Sequence, residues 1–283
     1  MYGKLYVVAT PIGNLADFSF RAVEILKQVD LIAAEDTRHV RMLLQHYGIN
    51  KPLQSLHQHN EDHASQGLVD KIRDGQSLAL VSDAGTPMIS DPGLPLVKLA
   101  RQHGIEVSPI PGACALIAAL SVAGLPTSRF SFEGFLPRTG SARRSFFEHK
   151  LADSSTWAFY ESSHRIQAAL EDMLTVFPAE HQIVVAREIT KLHETIVNDQ
   201  LAKVLEKVQT DENMRKGEFV VIVAGREIDT KEDDLSEEQQ RILSLLLKEC
   251  SIKTAVALAV EITGQRKKLL YQAALAMQDA GRA

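Results

Sequence analysis

The sequence predicts an α/β fold with two domains, followed by a small helical unit. In residues 1–118 short apolar runs alternate with helical patterns, which is typical of a parallel sheet covered by helices. In residues 119–228 strands outnumber helices, which favours a mixed, partly antiparallel sheet. Residues 239–283 contain helical patterns and resemble a helix-turn-helix unit, and the acidic stretch 229–238 before them is interpreted as a linker.

The first domain is predicted to order its elements as β-α-β-α-(β)-α-β-α-β-α. Its strands are the apolar runs at 5–8, 31–34, 77–81 and 106–110. Its helices follow the helical spacing of apolar residues at 20–27, 40–47, 94–103 and 111–120. Ser19 is a suitable N-cap for the first helix, and Gly48 stands where a helix-ending glycine is expected.

The stretch from 77 to 93, SLALVSDAGTPMISDPG, combines a strand with a loop of restricted shape. The loop contains Gly85, Pro87, Pro92 and Gly93, together with the carboxylates Asp83 and Asp91. Ligands bind at the carboxyl ends of strands in open α/β sheets, and two acids would suit a small polar or cationic ligand. A tight connection with an aspartate cap is the alternative. Two similar loops, at 9–14 and 111–113, favour a ligand site.

The second domain is predicted from strands at 130–135, 156–160, 182–186, 194–197 and 218–223, with helices at 165–177 and 200–208. The strands at 182–186 and 194–197 are close enough in the chain to pair as a hairpin. A polar loop is predicted at 137–145.

The tail is predicted to form three helices, around 243–247, at 254–263 after a cap at Ser251, and at 267–277. From Arg241 to Arg282 it carries seven Lys or Arg against three Asp or Glu. Such a surface could bind nucleic-acid phosphates. The alternative is a small helical cap whose basic side chains are only solvated.

Composition excludes several classes of protein. The 283 residues are 45% hydrophobic with a net charge of −5, and no apolar run approaches the ~18 residues of a membrane span. The first strand begins almost at once, so no signal peptide is expected. Cys114 and Cys250 supply neither a disulfide framework nor a zinc site, so a reduced, cytoplasmic protein is expected. The histidines at 57, 59 and 63 lack a well-placed fourth ligand, and we expect no metal.

No G-x-G-x-x-G follows a strand, and no phosphate-binding P-loop is present. Six collinear motifs point elsewhere: VATPIGNLADFSFRA, AAEDTR, SDAGTPMISDPG, PIPGACALIAAL, REITKLHET and GEFVVIV. In this order they resemble the tetrapyrrole-methylase-like methyltransferases. The resemblance covers nearly the whole chain. Within this family, the motifs resemble most specifically the branch that 2′-O-methylates a cytidine in the decoding region of 16S rRNA.

The resemblance implies S-adenosylmethionine as cofactor in a cleft between the two α/β domains, a homodimer, and the small ribosomal subunit as partner. Carried over by motif, the cofactor-binding residues are Pro11, Ile12, Gly13, Asp83, Gly85, Thr86, Cys114, Ala115, Tyr160, Ala186 and Glu218. Ser82-Asp83-Ala84 stands where tetrapyrrole-modifying relatives carry Gly-Asp-Pro. This departure argues against a porphyrinoid substrate.

A ribose 2′-hydroxyl is a poor nucleophile, so a general base near it is expected to help. The substrate-side candidates are Glu35, Asp36 and Lys191, with the base unassigned and with Glu161 and Glu188 as further carboxylates. Two other interpretations stay open: Asp36 caps the helix that follows it, and Glu188 pairs with Lys191.

The residues expected to contact RNA are Arg38, Arg138, Arg143, Arg144, Arg266, Lys267 and Lys268. Two other functions remain, a methyltransferase for a small molecule or a protein and a ribosome-associated binding factor without turnover. The basic tail favours RNA methylation, since small-molecule methylation has no use for it.

Overall fold

A computed structural model of the protein describes residues 2–226 and 235–280, with side chains to residue 277. The chain divides into two compact units, Met1–Arg226 and Glu227–Ala283. Positions 229–234 of the predicted linker lie outside the described residues. The domain boundaries within the first unit stay a prediction.

The first sheet has five parallel strands in the order β3-β2-β4-β1-β5. They are β1 (Lys4–Val8), β2 (Leu31–Ala34), β3 (Leu53–Ser55), β4 (Leu78–Val81) and β5 (Glu106–Ile110). Alternate residues of β4 enter two different apolar clusters, Leu78 and Leu80 one of them, Ala79 and Val81 the other. Both faces of the sheet are therefore buried, as the apolar runs predict.

Four helices accompany this sheet: α1 (Phe20–Gln28), α2 (Thr37–His46), α3 (Glu61–Arg73) and α4 (Leu94–Gln102). The predicted cap of α1 is confirmed, since Ser19 Oγ accepts a hydrogen bond from the Ala22 amide at 3.1 Å. Gly48 follows α2 with a φ of 63°, the left-handed conformation expected there.

The second sheet is mixed, in the order β6-β7-β10-β8-β9. Its strands are β6 (Phe130–Phe135), β7 (Thr156–Ser162), β8 (Gln182–Arg187), β9 (Thr195–Gln200) and β10 (Glu218–Val223). Only the pair β6 and β7 is parallel among these strands. The predicted hairpin is confirmed, because β8 and β9 pair antiparallel from Gln182↔Gln200 to Arg187↔Thr195.

The helices of this half are α5 (Ala115–Val122), α6 (Gly140–Lys150), α7 (Ile166–Leu174) and α8 (Leu201–Thr210). Leu116 and Leu120 of α5 pack on one face of the second sheet, and α6, α7 and α8 cover the face that contains Trp157. The prediction of a loop over 137–145 was wrong from residue 140 onward. Gly140 opens α6 there, and Phe147 of this helix is fully buried.

The second unit contains α9 (Glu237–Glu249), α10 (Ile252–Thr263) and α11 (Lys267–Ala280). Ser236 and Gln239 form a reciprocal capping box on α9, which therefore begins inside the predicted linker. Ser251 caps α10 as predicted, and Gly264 ends it with a φ of 66°. The small core of this second unit includes Leu243, Val256 and Leu270. None of the helices in the described ranges is long and apolar enough to cross a bilayer.

Candidate functional site

A cavity of about 400 Å³ lies where loops at the carboxyl ends of the first sheet face strand ends of the second sheet. The loop after β4 supplies most of one wall, and the ends of β7, β8 and β10 supply the other. Its volume is within the range of small-molecule sites. The cavity is therefore where the sequence predicted a ligand.

The wall from the first sheet is held together by backbone hydrogen bonds between Thr10 and Gly85. The Thr10 amide donates to the Gly85 carbonyl at 2.9 Å, and the Gly85 amide donates back at 3.1 Å. Gly85 has a φ of +86°, and a Cβ there would stand 3.2 Å from Ile12 Cγ2. Glycine is favoured here because the positive φ would strain any other residue and the approach to Ile12 is already tight.

Two loops around the cavity contain strained backbone. Within the described residues, positive φ occurs outside glycine only at Met88 (71°), Ser90 (68°), Glu188 (51°) and Thr190 (67°). Ser90 and Glu188 line the cavity itself. Such conformations cost of order 1–3 kcal/mol each and concentrate at functional sites. Their placement supports this cavity as the functional one.

Three carboxylates give the first wall its negative character: Glu35, Asp83 and Asp91. Asp83 is fixed by its Oδ1 atom, which accepts a hydrogen bond from the Asp36 amide at 2.9 Å. Burial raises the pKa of Asp91 to about 7, with further contributions from Glu35 and Asp83. Burial and then Asp83 also raise the pKa of Glu35. Crowded acids of this kind favour a cationic ligand, whose charge would offset theirs.

The opposite wall combines an aromatic ring with an ion-pair cluster. The Tyr160 hydroxyl accepts a hydrogen bond from the Leu116 amide at 3.3 Å, and burial raises its pKa. Lys191 Nζ lies 2.9 Å from Glu188 Oε1 and 2.7 Å from Glu218 Oε2. Burial lowers the pKa of Lys191, but its hydrogen bonds to Glu218 and Glu188 outweigh burial, so the pKa lies above its ordinary value.

The structure brings most of the predicted site residues to this cavity. Those that line it are Ile12, Glu35, Asp83, Gly85, Thr86, Cys114, Ala115, Tyr160, Ala186, Lys191 and Glu218. Pro11 and Gly13 do not line it. Pro11 is buried, and Gly13 lies beneath Lys191, where an added Cβ would come within 2.4 Å of Lys191 Cγ.

Asp36 also lies outside the cavity lining. Its side chain accepts a hydrogen bond from the Arg38 amide at 2.8 Å and caps α2, which is the structural role that the sequence left open. Hydrogen bonds from the Arg38 guanidinium and amide hold the pKa of Asp36 well below its usual range. Glu188 likewise pairs with Lys191, as its alternative interpretation proposed.

The residues predicted to contact RNA divide into exposed and buried ones. Arg38, Arg138, Arg266, Lys267 and Lys268 are exposed. Arg143 is a correction: its side chain is only 8% exposed and donates to Asp172 Oδ2 at 2.6 Å and 2.9 Å, so it is withdrawn from phosphates. Arg144 shares Asp172 but is 45% exposed on its side chain.

Asp91 and Phe135 are two of the cavity-lining residues that the list of predicted site residues omits. Asp91 stands in the same Gly- and Pro-rich loop as Asp83, and that loop was the available signal. Phe135 reaches the cavity because the pairing of β6 with β7 shifts register between Phe132 and Phe135. A bulge of this kind carries no clear sequence signal.

The three histidines were weighed as metal ligands in the sequence. Their segment contains an edge-to-face contact of His57 with His59, whose ring centroids are 5.9 Å apart. In the described ranges, no group of three or more His, Cys, Asp or Glu side chains is placed to hold a metal ion.

Two family models match the chain. The model of the "Tetrapyrrole (Corrin/Porphyrin) Methylases" matches residues 4–205, which include the first sheet and strands β6 to β9 of the second. The model of the "RsmI C-terminal HTH domain" matches residues 233–278, where the three helices of the second unit lie.

Similar proteins and solved structures agree with these two family matches. The chain is 51% identical over 276 residues to ribosomal RNA small subunit methyltransferase I of Escherichia coli O157:H7, covering 98% of this chain and 96% of the relative. The Pseudomonas aeruginosa protein of the same name is also 51% identical over 276 residues, with 98% of both chains covered. The fold is similar to a crystal structure of diphthine synthase, with a TM-score of 0.59 at 17% identity, covering 79% of this chain and 90% of the other.

Proposed function

The chain belongs to the ribosomal RNA small subunit methyltransferase I family of the tetrapyrrole methylases, and from this membership we propose its reaction. It is a methyltransferase of a family that acts on small-subunit rRNA. We propose that it transfers a methyl group from S-adenosylmethionine to the 2′-oxygen of a cytidine in the decoding region of 16S rRNA. The observation that carries the proposal is the acid-lined cavity at the strand ends.

The residues of the cavity fit this cofactor by charge and shape. The cofactor carries an ammonium and a sulfonium, and the wall that contains Glu35, Asp83 and Asp91 favours cations. Gly85 lets the backbone approach a ligand without a side chain between them. Tyr160 and Ala186 offer an apolar surface to the adenosine part on the other wall. We propose Asp83, Gly85 and Thr86 at the methionine end and Tyr160, Ala186 and Glu218 at the adenosine end.

When bound, the cofactor supplies a methyl group that is already activated on sulfur. The protein then has to align the ribose oxygen, exclude water and accept a proton. Two carboxylates that line the cavity are candidates for the proton acceptor. Asp91 has a pKa of about 7, which suits a base at neutral pH, and Glu35 lines the same cavity with a raised pKa. We propose that one of these two accepts the proton and that Lys191 binds the RNA on the opposite wall.

RNA contacts are proposed for the exposed basic side chains near the cleft and in the tail. Arg38 holds Asp36 in an exposed ion pair at 2.8 Å, and such pairs contribute little, so a phosphate competes readily for this guanidinium. Local contacts of this kind bind phosphate even on a chain of net charge −5. Asp36 then serves by orienting Arg38. A homodimer is proposed from the family membership, and a cytoplasmic location is proposed because ribosomal subunits are the substrate.

Labelled methyl transfer to small ribosomal subunits tests this function. We expect label in the subunits that ribonuclease releases, with the modified ribose identified by mass spectrometry. Label that resists ribonuclease would instead indicate a protein acceptor. Binding to subunits without any transfer would indicate a ribosome-associated factor that lacks turnover.

A further inference from the structure

Phe135 is an exposed aromatic ring at the mouth of an acidic cavity. It is 56% exposed although it lines the cavity, and its ring centroid lies 5.8 Å from that of Tyr160 in an edge-to-face contact. Gly134, with a φ of 67°, forms part of the bulge that turns this position toward the cleft. An added Cβ at Gly134 would stand 3.6 Å from Ser90 Oγ on the opposite wall. The ring is thus placed at the boundary between cavity and solvent.

The backbone after Phe135 is held by two arginines. Arg165 Nη2 donates to the carbonyls of Leu136 and Pro137 at 2.7 Å and 2.9 Å. Arg143 Nη1 donates to the carbonyl of Arg138 at 3.1 Å. Arginine side chains therefore satisfy three successive carbonyls by hydrogen bonds. Because carbonyl oxygens repel phosphate, this arrangement leaves the outer side of the segment suited to an anion.

Buried carboxylates hold both arginines in turn. Glu161 Oε2 lies 3.3 Å from Arg165 Nη2, and its side chain is fully buried. Asp172 Oδ2 accepts from Arg143 Nη2 at 2.6 Å. Networks of this kind fix geometry. The 135–138 segment is consequently a rigid part of the surface.

Electrostatic repulsion determines which parts of a nucleotide can enter this opening. Glu35, Asp83 and Asp91 repel phosphate from the interior, so an RNA backbone has to stay outside while a base and ribose approach. Arg138 is exposed and forms no ion pair with the part of the chain that the structure describes. It stands three residues after Phe135, at most roughly 11 Å away along an extended chain. Proteins bind single-stranded RNA with aromatic rings that stack on bases and with cations that bind phosphates, and this segment offers one of each.

We propose that the 135–138 segment receives the target nucleotide of the RNA. Phe135 stacks on its base, Arg138 binds the adjoining phosphate, and Arg143 and Arg165 are positioning residues that hold the segment. The inference rests on the proposed function, because it takes RNA as the substrate. It assigns Arg143 a role through the backbone in place of the direct RNA contact predicted from the sequence.

The variant Phe135→Leu in the full-length protein tests the stacking. Against small ribosomal subunits we expect kcat/KM to fall about tenfold or more, because an aliphatic side chain cannot stack on a base. Phe135→Tyr should restore it. Phe130→Leu is the matched control, because Phe130 lies on the same strand with 42% exposure and does not line the cavity. The affinity for S-adenosylmethionine, measured by calorimetry, should stay within twofold throughout.

Arg138 and Arg165 are tested in the same assay. Arg138→Gln should raise KM for subunits and reduce the slope of log affinity against log salt by about 0.7, the value of one contact to single-stranded RNA. Arg165→Lys keeps a positive charge, but its shorter side chain ends short of the position from which Nη2 donates to both carbonyls, so it should raise KM without changing that slope. Thermal unfolding of each variant checks that the fold is intact.

The outcomes separate this inference from the proposed function. If the wild-type protein transfers no methyl group to subunits, the proposed function fails before any variant is compared. If it does transfer and Phe135→Leu behaves like Phe130→Leu, the stacking role is wrong. A parallel loss of cofactor affinity in Phe135→Leu would also overturn it, because the ring would then belong to the cofactor subsite.

Discussion

The Asp83 carboxylate accepts a hydrogen bond from the Asp36 amide, with 2.9 Å between Asp83 Oδ1 and the Asp36 nitrogen. This bond joins the ends of β4 and β2, since Asp83 follows β4 and Asp36 follows β2. Asp36 uses its own side chain to cap α2. The two acids thus have different tasks: Asp36 shapes the loop, and Asp83 is left with its charge toward the cavity.

Replacing Asp83 separates its charge from this hydrogen bond. Asp83→Asn retains an oxygen acceptor for the Asp36 amide but removes the charge, and Asp83→Ala removes both. We expect cofactor affinity to fall about tenfold or more in Asp83→Ala, the value of a hydrogen bond to a charged group, with Asp83→Asn intermediate. Calorimetric titration measures it. Glu24→Gln, an exposed acid on α1, is the control, and equal affinity in all three variants would contradict the role.

The raised pKa of Asp91 predicts that cofactor binding is coupled to the release of a proton. Its pKa of about 7 keeps much of the carboxyl protonated in the ligand-free protein below neutrality. A cation in the cavity favours the charged form, so binding releases a proton and affinity rises with pH up to about 7. Calorimetry at pH 6.5 in two buffers of different ionisation enthalpy detects that proton. Asp91→Asn should bind without releasing it.

The same group affects stability in the opposite sense. The folded pKa of Asp91 lies above the unfolded value of about 3.9, so ionisation opposes folding. Its favourable contribution is complete below about pH 4 and is lost as pH rises through about 7. Asp91→Asn should therefore gain stability relative to the wild type on going from pH 5 to pH 8. Thermal unfolding at the two pH values measures the difference, and an unchanged difference would contradict the raised pKa.

Lys191 lies between two carboxylates of the cavity wall, Glu188 and Glu218. Its removal deprives both carboxylates of the cation that pairs with them, which makes the cavity more negative. Lys191→Ala should therefore keep or increase cofactor affinity, while kcat/KM for ribosomal subunits falls about tenfold or more through the lost charged contact. Lys203→Ala, which removes an ion pair with Asp199 outside the cavity, is the control. A loss of cofactor affinity alone would assign Lys191 to the cofactor instead.

The fold was largely predictable because its signals are local. Apolar runs followed by Gly and Pro identify the parallel strands, and the loop after β4 places Asp83 and Gly85 correctly at the cavity. Arg143 was not predictable in the same way. Whether it is exposed depends on Asp172, which lies 29 residues further along, on a different helix. Phe135 depends on a register shift between two strands, which is equally non-local.

Arg143 and Arg144 share the Asp172 carboxylate but differ in burial, with 8% and 45% of their side chains exposed. Arg143→Met leaves a buried carboxylate that has lost its main partner, so we expect a cost of about 3–5 kcal/mol in unfolding free energy. Arg144→Met should cost about 0–1 kcal/mol, as exposed pairs do. Trp157, the single tryptophan, lies in the adjoining core and reports urea unfolding by fluorescence. Equal costs for the two variants would contradict the assignment.

We expect the tail to contribute to RNA binding through three adjacent cations at the start of α11. Arg266, Lys267 and Lys268 are all exposed, so their replacement by glutamine should leave the small core around Leu243 and Leu270 intact. If each meets one phosphate of single-stranded RNA, the slope of log affinity against log salt should decrease by about 2, at roughly 0.7 per contact.

A truncation after Arg226 removes the whole second unit and provides the limiting case. We expect its cofactor affinity to match that of the full-length protein, because the residues that line the cavity end at Val220, before the truncation. Its KM for ribosomal subunits should rise at least as much as in the triple glutamine variant. Equal losses of cofactor affinity and RNA methylation would mean that the tail supports the fold and does not bind RNA.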